Sequence, residues 1–439
     1  MSYAKFKLGN EHIYYEIDTN SLYNEQGELL SMPPEEPLEF YESVQHLHGT
    51  THKINKPVAL RILFGHACNY DCSYCMQKDI GNPNERAKNM FLERFMQQIQ
   101  DNLDLENLER VELWGGEPFL YWKDIMPVMQ LLDREGLHFF FSTNGSPLRQ
   151  KHVDFFKTLK ASVQVAISHD GPGQNLLRGE DILVKDSVTS VLKQFDELYP
   201  KVQFSFNCVV SKLNYDLFKI NKFFKDAADR IGITRPRISY ILGRNYDETN
   251  SQNSAHFLIG DEDRPKFKKI LHDYIDAEIE QLKKYGLDKT QAIVQSNLVV
   301  GPEGAYGFAK KLRHQVPVTM TSSCGADAAD ILSLDIKGNI RLCPHTDEKY
   351  NVGKLDAIPQ AQVKHLDLDR KKSHCKDCNL RRLCKSSCPI KFPDEVFLQN
   401  CKNEKVWFGA IQTKAMQLIF GQEPELVELG IEEINATKS

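Results

Sequence analysis

From residue 58 onward the sequence alternates six times between a short apolar run and a stretch of helical period, and few folds accept that rhythm. The runs are Val58 to Phe64, Arg110 to Trp114, His138 to Ser142, Val163 to Ser168, Val202 to Val209 and Arg237 to Leu242. Between them apolar residues recur at i, i+3, i+4, as in Leu92, Phe95, Met96, Ile99 and Leu103, which gives each helix one face to bury. Strands joined through helices run parallel, because a parallel pair needs a crossover, and right-handed crossovers curl the sheet toward a barrel. Six units stop short of the eight that close a barrel. The expected fold is therefore α/β, a partial (β/α)6 TIM-like barrel with one side open to a large substrate.

The flanks read differently. Ala4 to Leu8, a Gly9-Asn10 turn and His12 to Ile17 make a hairpin, closed off by a polar stretch and Pro33-Pro34. After Leu242 a polar loop runs to about Asp263, followed by an amphipathic helix carrying Phe267, Ile270, Leu271, Tyr274, Ile275 and Leu282. The expected division is residues 1–56 as a small β-rich segment, 57–245 as the barrel, 246–320 as a helical connector, and 321–439 as a loop-rich cysteine domain. A formal charge of −5 carries no basic field for nucleic acid, and no apolar run reaches membrane-spanning length. The start lacks the apolar core of a signal peptide, so the expected compartment is the cytoplasm. There, eleven cysteines point to metal or catalysis rather than disulfides.

Three of those cysteines sit in eight residues, Cys68-x3-Cys72-x2-Cys75, just past the first strand. Thiolates hold iron–sulfur clusters four at a time, so three in one loop suggest a 4Fe-4S cluster with one open iron, and a zinc knuckle with a distant fourth ligand is the competing reading. Chemistry in parallel barrels gathers at the C-terminal strand ends. Those ends carry Trp114-Gly115-Gly116-Glu117-Pro118, Ser142-Thr143-Asn144-Gly145 and Ser168-His169-Asp170-Gly171-Pro172, with Asn207 at the end of the fifth strand. Glycines let backbone approach a ligand, a carboxylate accepts from an ammonium, and hydroxyls and amides can meet a ribose.

The three-cysteine loop with Tyr74 before its last cysteine, and the Gly115-Gly116-Glu117-Pro118 segment, resemble the radical S-adenosylmethionine (radical SAM) superfamily. The resemblance implies that Cys68, Cys72 and Cys75 hold a SAM-binding 4Fe-4S cluster. It also implies that Gly115, Gly116, Glu117 and Pro118 meet the methionine amino group. Thr143, Asn144, Ser168, Asp170, Arg178 and Asn207 would then line the rest of the SAM site.

Seven further cysteines follow: Cys324, Cys343, then Cys375-x2-Cys378-x5-Cys384-x3-Cys388-Pro389, then Cys401. A Cys-x3-Cys-Pro ending is what two-cluster ferredoxins show. With Gly338 five residues before Cys343, the set resembles the SPASM extension of radical SAM enzymes. That resemblance implies one auxiliary cluster on Cys375, Cys378, Cys384 and Cys401, and a second on Cys324, Cys343 and Cys388. The second set is one ligand short, which leaves an open iron or a non-cysteine ligand such as Asp327, Asp330 or His345. Cys208 would complete the count but sits in a barrel strand, where a free cysteine packs as a small apolar residue. A zinc ribbon is the competing reading of Cys375 to Cys388. Arg370, Lys371, Lys372, Lys376, Arg381, Arg382 and Lys385 gather nearby and read as offsetting the charge of thiolate-bound iron.

The functional expectation by resemblance is a cytoplasmic enzyme with three 4Fe-4S clusters and SAM that generates a 5′-deoxyadenosyl radical. It would oxidatively modify a ribosomal peptide or small protein, with electrons from a flavodoxin- or ferredoxin-type donor and no nucleic-acid or membrane partner. Alternatives are a sulfatase-maturing enzyme, although Pro344 and His345 stand where those relatives place an aspartate, a SPASM dehydrogenase acting on a small molecule, and a non-enzymatic iron–sulfur electron carrier.

Overall fold

The computed structural model describes residues 3–17, 19–30, 50–77, 80, 89–244, 257–285, 304–313, 324–364, 375, 378–384 and 394–430. Near the N-terminus, β1 (Tyr3–Leu8) turns through Gly9 into β2 (Glu11–Glu16), which pairs onward with β3 (Ser21–Tyr23). The expected hairpin is there. Ala4, Phe6, Ile13 and Tyr15 point inward and are fully or almost fully buried, the alternation of a sheet with one face covered.

The next strand, β4 (Thr50–His52), leads into the barrel strands β5 (Ala59–Leu63), β6 (Arg110–Trp114), β7 (His138–Thr143), β8 (Ser162–Ser168), β9 (Val202–Val210) and β10 (Ile238–Leu242). All six apolar runs are strands, mutually parallel, in simple sequential order. The sheet is open at the β10 edge. Helices cover its outer face because their apolar stripes match the strand residues beneath. In the helix Asp186–Glu197, for example, Val188, Val191, Leu192 and Phe195 are all buried. Cys208 is fully buried in this core, where Asn214 Nδ2 donates to its sulfur at 3.5 Å.

At the other edge the sheet gains strands that the barrel count omitted. β11 (Ile331–Asp335) runs parallel to β5, and β12 (Asn339–Arg341) and β13 (Asn351–Lys354) follow it antiparallel. The full order is β10-β9-β8-β7-β6-β5-β11-β12-β13. Gly338 makes the turn between β11 and β12. Its φ is +80°, and an added Cβ would lie 2.6 Å from Gln98 Oε1. A short strand β14 (Gln362–Lys364) pairs with β4, so the segment before the barrel is stitched to the cysteine-bearing segment after it.

The expected helix spans Arg264–Tyr285, with Phe267, Leu271, Tyr274 and Ile275 buried. It packs on the long helix Asp394–Phe420, where Phe267 stacks on Trp407 at 6.2 Å. The chain then returns as β15 (Glu425–Gly430), which pairs antiparallel with β1. The N-terminal sheet is thus completed by the C-terminal end of the described chain.

Candidate functional site

The C-terminal ends of β5 and β6 run on together beyond the helix-covered sheet. Gly116 N–H donates to the Gly65 carbonyl and Glu117 N–H to the Ala67 carbonyl, each at 2.9 Å, so the chain entering Cys68 is held against the Gly115-Gly116-Glu117 segment. Only glycine fits at 116, because a Cβ would lie 2.3 Å from the His66 carbonyl oxygen and 2.5 Å from that of Ala67. Tyr121 adds a third tie, its hydroxyl oxygen accepting from Ala67 N–H at 2.7 Å. The turn that follows is fixed from below by Pro118 and Phe119, which are buried, with Phe119 stacked on Phe141 at 4.9 Å.

Glu117 is only 1% exposed. Its carboxylate accepts from Phe119 N–H at 3.1 Å, Thr143 Oγ1 at 2.7 Å and Asn144 N–H at 2.7 Å. Burial raises its pKa to about 7 despite those three donors. Glu117 and Thr143 therefore act on each other and on the strand ends. Asn144 continues the chain of ties, with Nδ2 donating to Asn69 Oδ1 at 2.9 Å and facing Cys68 Sγ at 4.0 Å. Asn69 in turn donates to Ser146 Oγ at 2.7 Å.

The three thiols of the loop lie close enough for each to act electrostatically on its neighbours, and protein donors surround them. Tyr70 N–H points at Cys68 Sγ at 3.4 Å, and Arg178 Nη1 at Cys72 Sγ at 3.9 Å. Without a cation, burial holds the Cys72 thiol up at about 11, so a bound metal would have to drive its deprotonation. N–H donors and a guanidinium aimed at sulfur fit thiolate-ligated iron. Among the described residues no three His, Cys, Asp or Glu side chains converge as ligands of a single ion.

Arg178 is held in place by Asp170, Nε to Oδ2 at 2.9 Å, and its guanidinium lies over the Tyr74 ring at 5.1 Å. Tyr74 donates to the same carboxylate oxygen and stacks on Phe257 at 4.7 Å. The other oxygen of Asp170 accepts from Val209 N–H at 2.9 Å, and the residue is fully buried. Asp170 thus faces protein on every side. Ser168 and Asn207 differ. They are register partners on β8 and β9, both half-buried, on the face opposite the helix-packed Ile167 and Phe206. A cleft of about 450 Å³ opens beside the loop, lined by Asn69, Tyr70, Asp71, Arg178 and Glu180.

Of the auxiliary cysteines, Cys375, Cys378, Cys384 and Cys401 line one small cavity with Arg381 and Phe397. Cys384 Sγ donates to Glu404 at 2.8 Å, and Arg244 from beyond β10 pairs with that carboxylate at 2.6 Å. Burial pushes the Cys384 thiol well up and Cys401 to about 11. Four thiols around one cavity fit a cluster. Cys324 and Cys343 flank the β11–β12 hairpin, and His345 N–H points at Cys343 Sγ at 3.4 Å. Cys388 lies outside the described residues. A separate cavity of about 930 Å³ opens between Phe6, His272, Cys378 and Lys405. Sequence reasoning did not single out Asn69, Tyr121 or Ser146, because each acts through a tertiary contact that no local pattern announces.

Residues 62–198 match the family model of the radical SAM superfamily. An S-adenosylmethionine-dependent nucleotide dehydratase of Psychrobacter lutiphocae is 23% identical over 273 residues, 59% of this chain and 85% of that protein. The radical SAM cyclopropyl synthase TigE of Paramaledivibacter caminithermalis is 26% identical over 181 residues, 36% of this chain and 37% of that one. Among solved structures, anSMEcpe with bound AdoMet is similar with a TM-score of 0.58 at 18% identity, covering 82% of this chain and 98% of that one. Native anSMEcpe with bound AdoMet and Kp18Cys peptide is similar to the same degree, covering 83% and 100%. Identity that low speaks to the fold, an open α/β barrel around a parallel sheet. No described helix is long and apolar enough to cross a membrane.

Proposed function

We propose that this chain is a radical SAM enzyme that oxidatively modifies a peptide, using three 4Fe-4S clusters. The observation that carries the reading is the three-cysteine loop tied edge to edge with Gly115-Gly116-Glu117 at the mouth of an open barrel. The cluster ligated by Cys68, Cys72 and Cys75, with SAM, would supply a 5′-deoxyadenosyl radical. The protein's share is orientation. Gly115 and Gly116 bring backbone to the ligand's ammonium, while Glu117 and Thr143 lock that backbone and do not themselves reach out. Ser168 and Asn207 offer a hydroxyl and an amide toward a ribose. Asp170 and Tyr74 fix Arg178, whose charge faces the Cys72 thiolate or a SAM carboxylate.

The auxiliary clusters are proposed on Cys375, Cys378, Cys384 and Cys401, and on Cys324, Cys343 and Cys388. A peptide substrate is supported by the open sheet edge and by likeness to a fold solved with AdoMet and a peptide. The product would be an internal crosslink or related modification. A cytoplasmic location and a flavodoxin- or ferredoxin-type donor are part of the same proposal. A nucleotide substrate is the second reading, favoured by the dehydratase relative, 85% of whose length is matched.

The experiment is anaerobic co-expression with the short open reading frames beside the gene, followed by mass spectrometry. Loss of two hydrogens from a peptide supports a crosslink. Conversion of nucleotides with every peptide left unchanged overturns the peptide reading.

A further inference from the structure

A charged pair is buried on the concave face of the barrel, where nothing in the SAM site needs it. Arg61 is the middle residue of β5 and Glu112 its register partner on β6. Their side chains are 13% and 8% exposed, and Arg61 Nε donates to Glu112 Oε2 at 3.2 Å. The other carboxylate oxygen, Oε1, meets Arg110 Nε at 3.2 Å from the exposed start of β6. Withdrawing charges from water costs several kcal/mol per ion, so a guanidinium and a carboxylate buried together here call for a purpose.

The partners supply one. Arg61 Nη2 donates to the Cys324 carbonyl at 2.6 Å, across a gap of 263 residues in sequence. The indole Nε1 of Trp114 donates to the same Glu112 oxygen at 3.0 Å. The Trp114 ring meets the His345 ring edge-on at 4.8 Å, two residues past Cys343. One carboxylate thus holds two arms, one reaching Cys324 and the other the segment of Cys343. Lys53 reinforces the first arm, its ammonium donating to the carbonyls of Ala326 and Ala328 in the loop that follows Cys324 and of Ile331 at the start of β11.

We infer that Arg61, oriented by Glu112, is a positioning residue that docks the Cys324 and Cys343 segment onto the barrel and fixes where the auxiliary cluster of that segment sits. β5 and β6 also carry the Cys68 loop and Gly115-Gly116 at their ends, so the same two strands set the distance between the two metal sites. The inference rests on the reading of Cys324 and Cys343 as cluster ligands.

The test is anaerobic reconstitution of the full chain as wild type, Arg61→Met, Arg61→Lys, Glu112→Gln and Cys324→Ala, with iron and sulfide analysis and EPR of the reduced protein with and without SAM. Cys324→Ala loses about one cluster in three if that site is real. Arg61→Met and Glu112→Gln lose the same fraction and the same EPR component, while the SAM-induced change in the first cluster's spectrum persists. Arg61→Lys, which keeps the cation but not the fork, recovers part of that component. Full iron and an unaltered spectrum in Arg61→Met and Glu112→Gln overturn the inference while sparing the ligand reading. Loss of the SAM-responsive signal in all three Arg61 and Glu112 variants also overturns it, by showing a general role in folding. No iron loss in Cys324→Ala removes the ligand reading and the inference together.

Discussion

Asn144 donates its backbone N–H to the Glu117 carboxylate at 2.7 Å, so the ends of β6 and β7 are bound through a buried side chain. That carboxylate sits under the Gly115-Gly116 backbone and next to the Cys68 loop, which makes it the strut on which the site's geometry depends.

Glu117 gives the site a pH signature. Its pKa rises from 4.5 unfolded to about 7 folded, chiefly through burial. The folded state therefore binds the proton more tightly, so the stabilisation is fully present below pH 4.5 and is lost as pH rises through about 7. The difference corresponds to about 3 kcal/mol. Anaerobic urea unfolding from pH 5 to pH 8 should show wild type losing stability relative to Glu117→Gln. Parallel pH profiles would contradict the assignment.

Gly116→Ala forces a Cβ into two backbone carbonyls, a clash with no flexible neighbour to yield. The expected cost is about 1 to 3 kcal/mol, focused on the Cys68 loop. Iron analysis should show the first cluster lost or labile, with the auxiliary iron retained.

Asp170→Ala removes the carboxylate that pairs with Arg178 and leaves a buried guanidinium beside Tyr74. Breaking such a pair costs about 3 to 5 kcal/mol. Thermal unfolding of the anaerobic protein should show the loss, and Asp170→Asn should show a smaller one because the amide oxygen still accepts.

Much of this architecture was legible in sequence because strands packed beneath helices carry short apolar runs between stretches of helical period. His138 to Ser142 and Val202 to Val209 came within a residue of the observed strands. What escaped was long-range pairing. Nothing near Ile331 announces that it continues the sheet beside Ala59, and nothing near Glu425 announces a partner in Lys7. The site residues divide in the same way. Their clustering at strand ends followed from order along the chain. Whether a carboxylate faces a ligand or the protein depends on tertiary donors such as Val209 N–H to Asp170, which sequence does not display.

Ser168 and Asn207 are the side chains proposed to meet the nucleotide without holding up the fold. The double change Ser168→Ala with Asn207→Ala should weaken SAM binding at least about tenfold by calorimetry, since each lost hydrogen bond is worth about 1 kcal/mol. Stability should move by no more than about 0.5 kcal/mol per change, as for partly exposed positions.

The most direct measurement is 5′-deoxyadenosine formation by the reconstituted, chemically reduced protein supplied with SAM under strict anaerobiosis. Wild type should release it steadily and Cys72→Ala should release none. Release that is absent from a wild-type protein carrying its full iron, or unchanged in Cys72→Ala, would contradict the radical SAM reading.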